Sequence, residues 1–371
     1  MEIGLIVYES LDVVSGGYMY DRHLVRALRE RGHQVRVYAL PRTSYARHMT
    51  HNITPSLYRS LVQAPVQLWL QDELNHPSLF LVNRALRRRV PVVSIVHHLR
   101  LDEDAPRGLR LLYRYVERAY LRTVHGFIFN SRTTRQRVHR VLGYSPPGQV
   151  AYPGADHLWE DMPTPPNPPI SPEAIRTRAH APGPLRVLFI GNVIPRKRLD
   201  TLILALRHMP AKTATVDVVG RTDVHPRYTE RIRRLLHRHD LVKDVHFHGY
   251  LPPAALRSLL ERSHVLVIPS QYEGFGIAYL EGMAYGLPAI AGHRGAAAEI
   301  ISPGENGFLV SPDDPRPLAE YLHYLHRQRQ VLAEMGIAAL ERYRRHPTWE
   351  ESMSLASTWL ETFVRTGEGL L

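Results

Sequence analysis

Two glutamates, Glu273 and Glu281, stand eight positions apart in "PSQYEGFGIAYLEGMAYGLPAI", residues 269–290. Gly274, Phe275 and Gly276 lie between them, followed by Ile277. Glycines let a backbone approach a ligand closely and bare its amide N–H groups. A helix starting near residue 276 adds its positive end, and the combination suits a phosphate. Glu273 precedes that helix and Glu281 lies more than a turn inside it, so the acids flank the phosphate site at different depths. A carboxylate beside a phosphate is unfavourable unless it holds a neutral part of the same ligand. Sugar hydroxyls are such partners, because they donate hydrogen bonds to carboxylates. The spacing therefore points to a nucleotide sugar, with one acid on the ribose and one on the hexose. The competing structural reading makes Glu273 a helix cap and Glu281 a solvated helix position. The flanking glycines and prolines favour the site.

A second segment has the same logic. In "IGNVIPRKRLD", residues 190–200, Gly191 closes a strand, and Arg196, Lys197 and Arg198 follow at its rim. Cations there can neutralise a diphosphate leaving group as its charge develops. The alternative is a solvated basic turn.

Positioning these groups requires strands that end at one rim. Apolar runs of strand length alternate with helical patterns along the chain, the signature of parallel sheets. In the first half, "IGLIVY" is followed by a loop with Gly16 and Gly17, a helix stopping at Gly32, and a strand from Val35. An apolar segment near 66–70, a basic helix at 77–89, a strand at 90–98, a helix at 106–123 and a strand at 126–130 follow. Residues 161–184, "DMPTPPNPPISPEAIRTRAHAPGP", are rich in proline, which removes donors and fixes the backbone extended. The strand–helix pattern restarts at "LRVLFIG". The expected organisation is a first domain over 1–165, a linker over 166–184, a second domain over 185–345 and a terminal helix over 346–371.

Bulk composition excludes several classes. The 371 residues contain no cysteine, hence no disulfide and no thiolate nucleophile or metal ligand. No apolar run reaches the length that spans a bilayer. "MEIGLIVYES" reads as a buried first strand rather than a signal peptide. The net charge of +12 favours an anionic partner, whether nucleic acid, anionic lipid or a phosphorylated small molecule. No zinc spacing or aromatic RNA motif supports nucleic acid. His246 and His248 share one face of a strand but lack further ligands, and are read as structural. The Asn52-Ile53-Thr54 sequon is read as accidental.

These residues resemble the retaining glycosyltransferases of family 4. "EGFGIAYLE" is similar to the family's glutamate–seven–glutamate motif and "IGNVIPRKRLD" to its glycine and lysine segment. "GLPAIAGHRGAAAEII" and "GENGFLVSPDD" are similar to the blocks that close its donor pocket, and "AYPGAD" to the end of its first half. The resemblance implies an α/β fold of the GT-B type: two doubly wound Rossmann-like domains with parallel sheets facing a central cleft. It implies that Lys197 binds the diphosphate, Glu281 the ribose hydroxyls and Glu273 the transferred sugar. Phosphate and sugar would lie on the amides of Phe275 and Gly276, with Gly274 and Ile277 beside them. Gly16 and Gly17 resemble the family's first-half phosphate loop. The segment 248–256, with Gly249 and Leu251, would line the base pocket. His97 matches a first-domain histidine that contacts the sugar, and His98 is its competitor. The pattern departs at Asn192, where the family has arginine, and at Arg198, where it has glycine. Arg196 or Arg198 would then supply the second diphosphate cation.

The resemblance also implies the reaction. A UDP- or GDP-linked sugar passes to a glycan, lipid or small-molecule acceptor, with the anomeric configuration kept and no metal or other cofactor. Departure of the diphosphate leads through an oxocarbenium-like transition state, and a donor phosphate oxygen takes the acceptor proton. A nucleotide-sugar epimerase or hydrolase of the same architecture is the main rival, and a basic nucleic-acid-binding protein a weaker one. The basic stretches 84–89 and 107–122 point to anionic membrane beside a lipid-linked acceptor, with a cytoplasmic location at the membrane's inner face.

Overall fold

The computed structural model describes residues 1–367 except 104–105, 163 and 165–168. The chain divides into two units, Met1–Pro153 with Thr348–Leu371, and Gly154–Pro347. Each is built on a six-stranded sheet.

In the first unit the strands are β1 (Glu2–Tyr8), β2 (Gln34–Leu40), β3 (Leu68–Asp72), β4 (Val92–Val96), β5 (Gly126–Phe129) and β6 (Gly148–Val150). They pair in parallel in the order β2-β1-β3-β4-β5-β6. β3 and β4 are buried along their whole length, as expected of strands covered on both faces. That is why Leu68–Leu70 and most of β4 read as apolar rather than as alternation. The last helix, Trp349–Thr366, belongs to this unit and packs on the helix Gly16–Glu30. A capping box between Thr348 and Glu351 starts it. Trp349 stacks on His23 with ring centroids 4.1 Å apart, and the Arg31 guanidinium meets Glu361 at 2.7 Å.

In the second unit the strands are β7 (Leu185–Ile190), β8 (Ala214–Val219), β9 (Val245–Gly249), β10 (Val265–Ile268), β11 (Ala289–Gly292) and β12 (Gly307–Val310). Their order is β12-β11-β10-β7-β8-β9, again all parallel. The sheet order turns back between β7 and β10, the kind of switch point where ligands sit beyond the strand ends.

Two local expectations differ from the structure. The basic helix expected over 77–89 is two short helices, His76–Leu79 and Asn83–Leu86. Between them the Leu81 amide donates to the side chain of Asn52 at 2.8 Å, which takes it out of the helical ladder. Asn52 is therefore buried, with its own amide nitrogen donating to Pro77 O at 2.7 Å, so it is a structural residue and no glycan acceptor. The linker expected over 166–184 contains a helix, Pro172–His180. Residues 166–168 lie outside the described residues. Pro172 stands at the helix start, where its missing N–H costs nothing, and Ser171 caps it. Arg178 anchors this helix to the second unit by donating to Gly286 O at 2.8 Å.

Candidate functional site

The second unit gathers its candidate residues at the carboxyl ends of β7 and β10. β7 ends at Ile190, and a single-turn 3-10 helix, Pro195–Lys197, follows. β10 ends at Ile268, and the chain runs through Ser270 and Glu273 into the helix Ile277–Ala284. Parallel pairing of the two strands brings both rims together.

Glu273 is the centre of this group. Lys197 Nζ donates to its Oε1 at 2.6 Å, Ser270 Oγ donates to the same oxygen at 2.6 Å, and Arg196 Nη1 lies 3.6 Å from Oε2. Burial alone pushes this carboxyl up, but Lys197 and Arg196 outweigh it and hold it down at about 2. Glu273 is thus ionised at neutral pH and accepts hydrogen bonds. Its backbone is fixed as well: it bridges Gly295, and its carbonyl accepts from Ala296 N at 2.9 Å. A side chain at Gly295 would come within 2.2 Å of Glu273 O, and its φ of 91° is one that glycine favours.

Arg196 is shared between Glu273 and the Tyr272 carbonyl, to which it donates at 2.8 Å. Arg198 turns elsewhere. It donates to Pro312 O at 3.1 Å and pairs with Asp313 at 3.4 Å. Its φ of 55° is left-handed, which explains physically why a glycine would suit the position. Asn192 accepts from the Arg221 amide at 3.2 Å. Gly276 opens the Ile277–Ala284 helix at φ 97°, and a side chain there would strike Tyr279 at 2.4 Å. Ile277 begins that helix, Gly274 and the buried Phe275 precede it, and Gly249 ends β9 with Leu251 just beyond. His248 Nε2 donates to Asp217 Oδ1 at 2.6 Å, which makes it part of a half-buried structural pair.

Glu281 lies one helix face further in, buried, with His157 Nε2 2.9 Å from its Oε1. Sequence reasoning missed His157. It lies in "ADHLW", just after the block read for the end of the first half, and nothing local marks it as a partner of a residue 124 positions away.

The first unit carries a separate group. Gly16 and Gly17 start the Gly16–Glu30 helix, with Ser15 Oγ capping Tyr18 N at 3.2 Å. His97 lies against this turn: a side chain at Gly17 would be 3.1 Å from its ring. His97 Nε2 meets Asp21 Oδ1 at 3.1 Å. Burial opposes charging of His97, yet Asp21 and Asp72 prevail and raise its pKa. His98 instead meets Glu103 Oε1 at 2.9 Å. Asp72, buried and near Asp21, is pushed up to about 7, first by burial and then by that neighbour. Glu73 and Glu117 form a further buried pair, with Glu73 pushed up to about 8 by burial.

Among the described residues, two sets of ligand atoms are close enough to hold a cation, Asp21 with Asp72 and His97, and Glu73 with His76 and Glu117. Raised carboxyls describe shared protons equally well. Of the acidic run Asp102-Glu103-Asp104, Asp102 pairs with Arg137 at 2.6 Å and Glu103 with His98, while Asp104 lies outside the described residues. No helix among the described residues is long and apolar enough to cross a membrane.

Comparison with known proteins fits this layout. The model for "Glycosyl transferases group 1" matches residues 171–342, and that for "Glycosyltransferase Family 4" matches residues 14–157. The chain belongs to the family 4 glycosyltransferases. Among curated relatives, an uncharacterised glycosyltransferase of Methanocaldococcus jannaschii is 33% identical over 36% of this chain and 33% of its own length. The D-inositol 3-phosphate glycosyltransferase of Xylanimonas cellulosilytica is 31% identical over 58% of this chain and 51% of its own. The chain thus spans about a third to a half of the length of these relatives. Among solved structures, sucrose-phosphate synthase from Thermosynechococcus elongatus aligns with a TM-score of 0.80 at 20% identity, over 98% of this chain and 99% of that one. Anabaena HepE in complex with UDP-glucose aligns at 0.76 with 19% identity, over 98% and 100%. The likeness gives the family member its fold, GT-B, with two parallel six-stranded sheets flanked by helices.

Proposed function

We propose that this protein transfers a sugar from a UDP- or GDP-linked donor to a glycan, lipid or small-molecule acceptor, keeping the anomeric configuration and using no metal. The observation that carries the reading is the Glu273 group. Two cations, Lys197 and Arg196, converge on one buried carboxylate beside a glycine-opened helix. That leaves net positive charge at a strand rim, where a diphosphate would be received.

Each residue then has a role. Lys197 and Arg196 balance the charge that develops on the departing diphosphate. Glu273, ionised and fixed, accepts hydrogen bonds from hydroxyls of the transferred sugar. Glu281 does the same for the ribose. The amides of Phe275 and Gly276 bind phosphate oxygens. Within the first unit, the candidate polar group is His97, held by Asp21. Because Glu273 is already bound by Lys197 and Ser270, it is a poor nucleophile, and departure of the diphosphate leads the reaction. A relative named as a glycosyltransferase and a fold neighbour solved with UDP-glucose support transfer over the epimerase or hydrolase reading.

Slow donor breakdown tests this without knowledge of the acceptor. Incubation with a panel of UDP- and GDP-sugars, in the presence of a chelator, is followed by proton NMR. The reading expects release of nucleoside diphosphate and sugar whose first-formed anomer matches the donor. The opposite anomer, or release that the chelator abolishes, would contradict it.

A further inference from the structure

Away from these groups, the first unit contains a cavity of about 540 Å³ between the helices Arg107–Leu121 and Arg132–Leu142. Arg110 and Arg114 line it from the first helix, and Arg137 and Arg140 from the second. Leu101, Leu111 and Val141 complete the wall. None of the residues discussed for the donor or for His97 contributes to it.

Its charge is unbalanced. Arg137 pairs with Asp102 at 2.6 Å. Among the described residues, no hydrogen bond or ion pair engages the guanidiniums of Arg110, Arg114 or Arg140. Arg110 and Arg114 are one helical turn apart, as are Arg137 and Arg140. Like charges at such spacing destabilise a helix, and a bound anion would offset that repulsion. Guanidinium forks match phosphate oxygens two by two, and several forks suit a group with more than one charge. The volume falls in the range of small-ligand sites.

The first of these helices also exposes apolar side chains beside its arginines. Leu111 is 68% exposed and Tyr115 73% exposed on the same helix as Arg110 and Arg114. Large apolar side chains interleaved with arginine favour a ligand whose phosphate continues into a less polar body.

We propose that this cavity binds a phosphate ester, with the phosphate on Arg110, Arg114 and Arg140 and its substituent over Leu111 and Tyr115. The chemistry is common to a lipid headgroup and to a free phosphorylated metabolite. The proposal is independent of the donor reading.

The test uses the full chain and two probes. One is sedimentation with phosphatidylcholine vesicles, with and without phosphatidylglycerol. The other is calorimetric titration with glycerol 3-phosphate. Three proteins are compared: the unaltered chain, Arg114→Glu/Arg140→Glu, and the charge-matched Arg47→Glu/Arg59→Glu, at exposed positions of the first unit outside both basic stretches. The unaltered chain is expected to bind at least one probe. The cavity variant should bind it about tenfold more weakly or worse, with the control changed by less than about threefold. Equal melting temperatures and equal nucleotide binding in the variants guard against misfolding. Binding confined to phosphatidylglycerol vesicles identifies a headgroup, and binding of glycerol 3-phosphate identifies a free ester. Failure of both probes, or equal loss in the cavity variant and the control, would overturn the proposal. The second result would mean general basic charge rather than a site.

Discussion

His157 Nε2 and Glu281 Oε1 are 2.9 Å apart, and both side chains are nearly nine-tenths buried. The imidazole reaches Glu281 from the Asp156–Trp159 turn at the start of the second unit. One carboxylate oxygen is thereby fixed, and the side chain is oriented before any ligand arrives. Preorganised acceptors bind better than mobile ones because less ordering remains to be done. His157→Phe should therefore weaken binding of the free nucleoside diphosphate on the order of tenfold, equivalent to ~1.4 kcal/mol. Calorimetry against the unaltered chain measures it. Unchanged affinity would mean that the pair is merely structural.

The Lys197–Glu273 contact makes a different prediction. Removing one member of a buried ion pair strands the other, at a cost of ~3–5 kcal/mol. Lys197→Met should lower the denaturation midpoint clearly, even though Arg196 still lies 3.6 Å from the carboxylate. Lys197→Met/Glu273→Gln should recover most of that stability without restoring donor binding, since the uncharged pair cannot meet a diphosphate. The folded-state pKa of Glu273 is depressed to about 2 from its ordinary 4.5. Its contribution is therefore present above the ordinary value and lost as pH falls from there toward 2. Glu273→Gln should flatten stability across that acid range, as read by urea titration.

The parts visible in the sequence and the parts hidden from it differ by contact range. Strands such as β10 are legible because burial on both faces makes them unbroken apolar runs. Glu273, Gly276 and the basic turn at Arg196–Lys197 are legible because their spacing is local. Arg198 is readable as a departure from the family pattern, but not its engagement with Pro312, which lies 114 positions on. His157 and Ser270 are short polar residues without a local signature, and tertiary contact alone assigns them. Asp21 could have been found: it lies four positions after Gly17, on the buried face of its helix, where an acid needs a partner. Asp72 and Glu73 give no such sign, because Asp72 closes a strand read for packing and Glu73 opens the short 3-10 turn after it.

Glu73 offers a test of the first unit by pH. Burial is the main cause that raises its carboxyl from 4.5 to about 8, and Glu117 beside it is raised as well. The folded chain therefore keeps a proton that the unfolded chain gives up at its ordinary pKa. Stability from this group is full below about 4.5 and falls as pH rises through about 8. The loss is on the order of a few kcal/mol, because each tenfold change in proton affinity between the two states is worth ~1.4 kcal/mol. Glu73→Gln, neutral throughout, should be relatively more stable than the unaltered chain at mildly alkaline pH than at mildly acidic pH. Parallel pH dependence in the two proteins, by urea unfolding, would show that the buried pair is not the source.

The central claim is a nucleotide-sugar site built on Lys197, Glu273 and Glu281, and direct binding tests it best. Melting curves would be recorded with UDP, GDP and their sugar conjugates for the unaltered chain and for Glu281→Ala. The account predicts that one base class raises the midpoint by several degrees in the unaltered chain, and that Glu281→Ala abolishes most of the rise. No stabilisation by any nucleotide, or an equal rise in the variant, would contradict it.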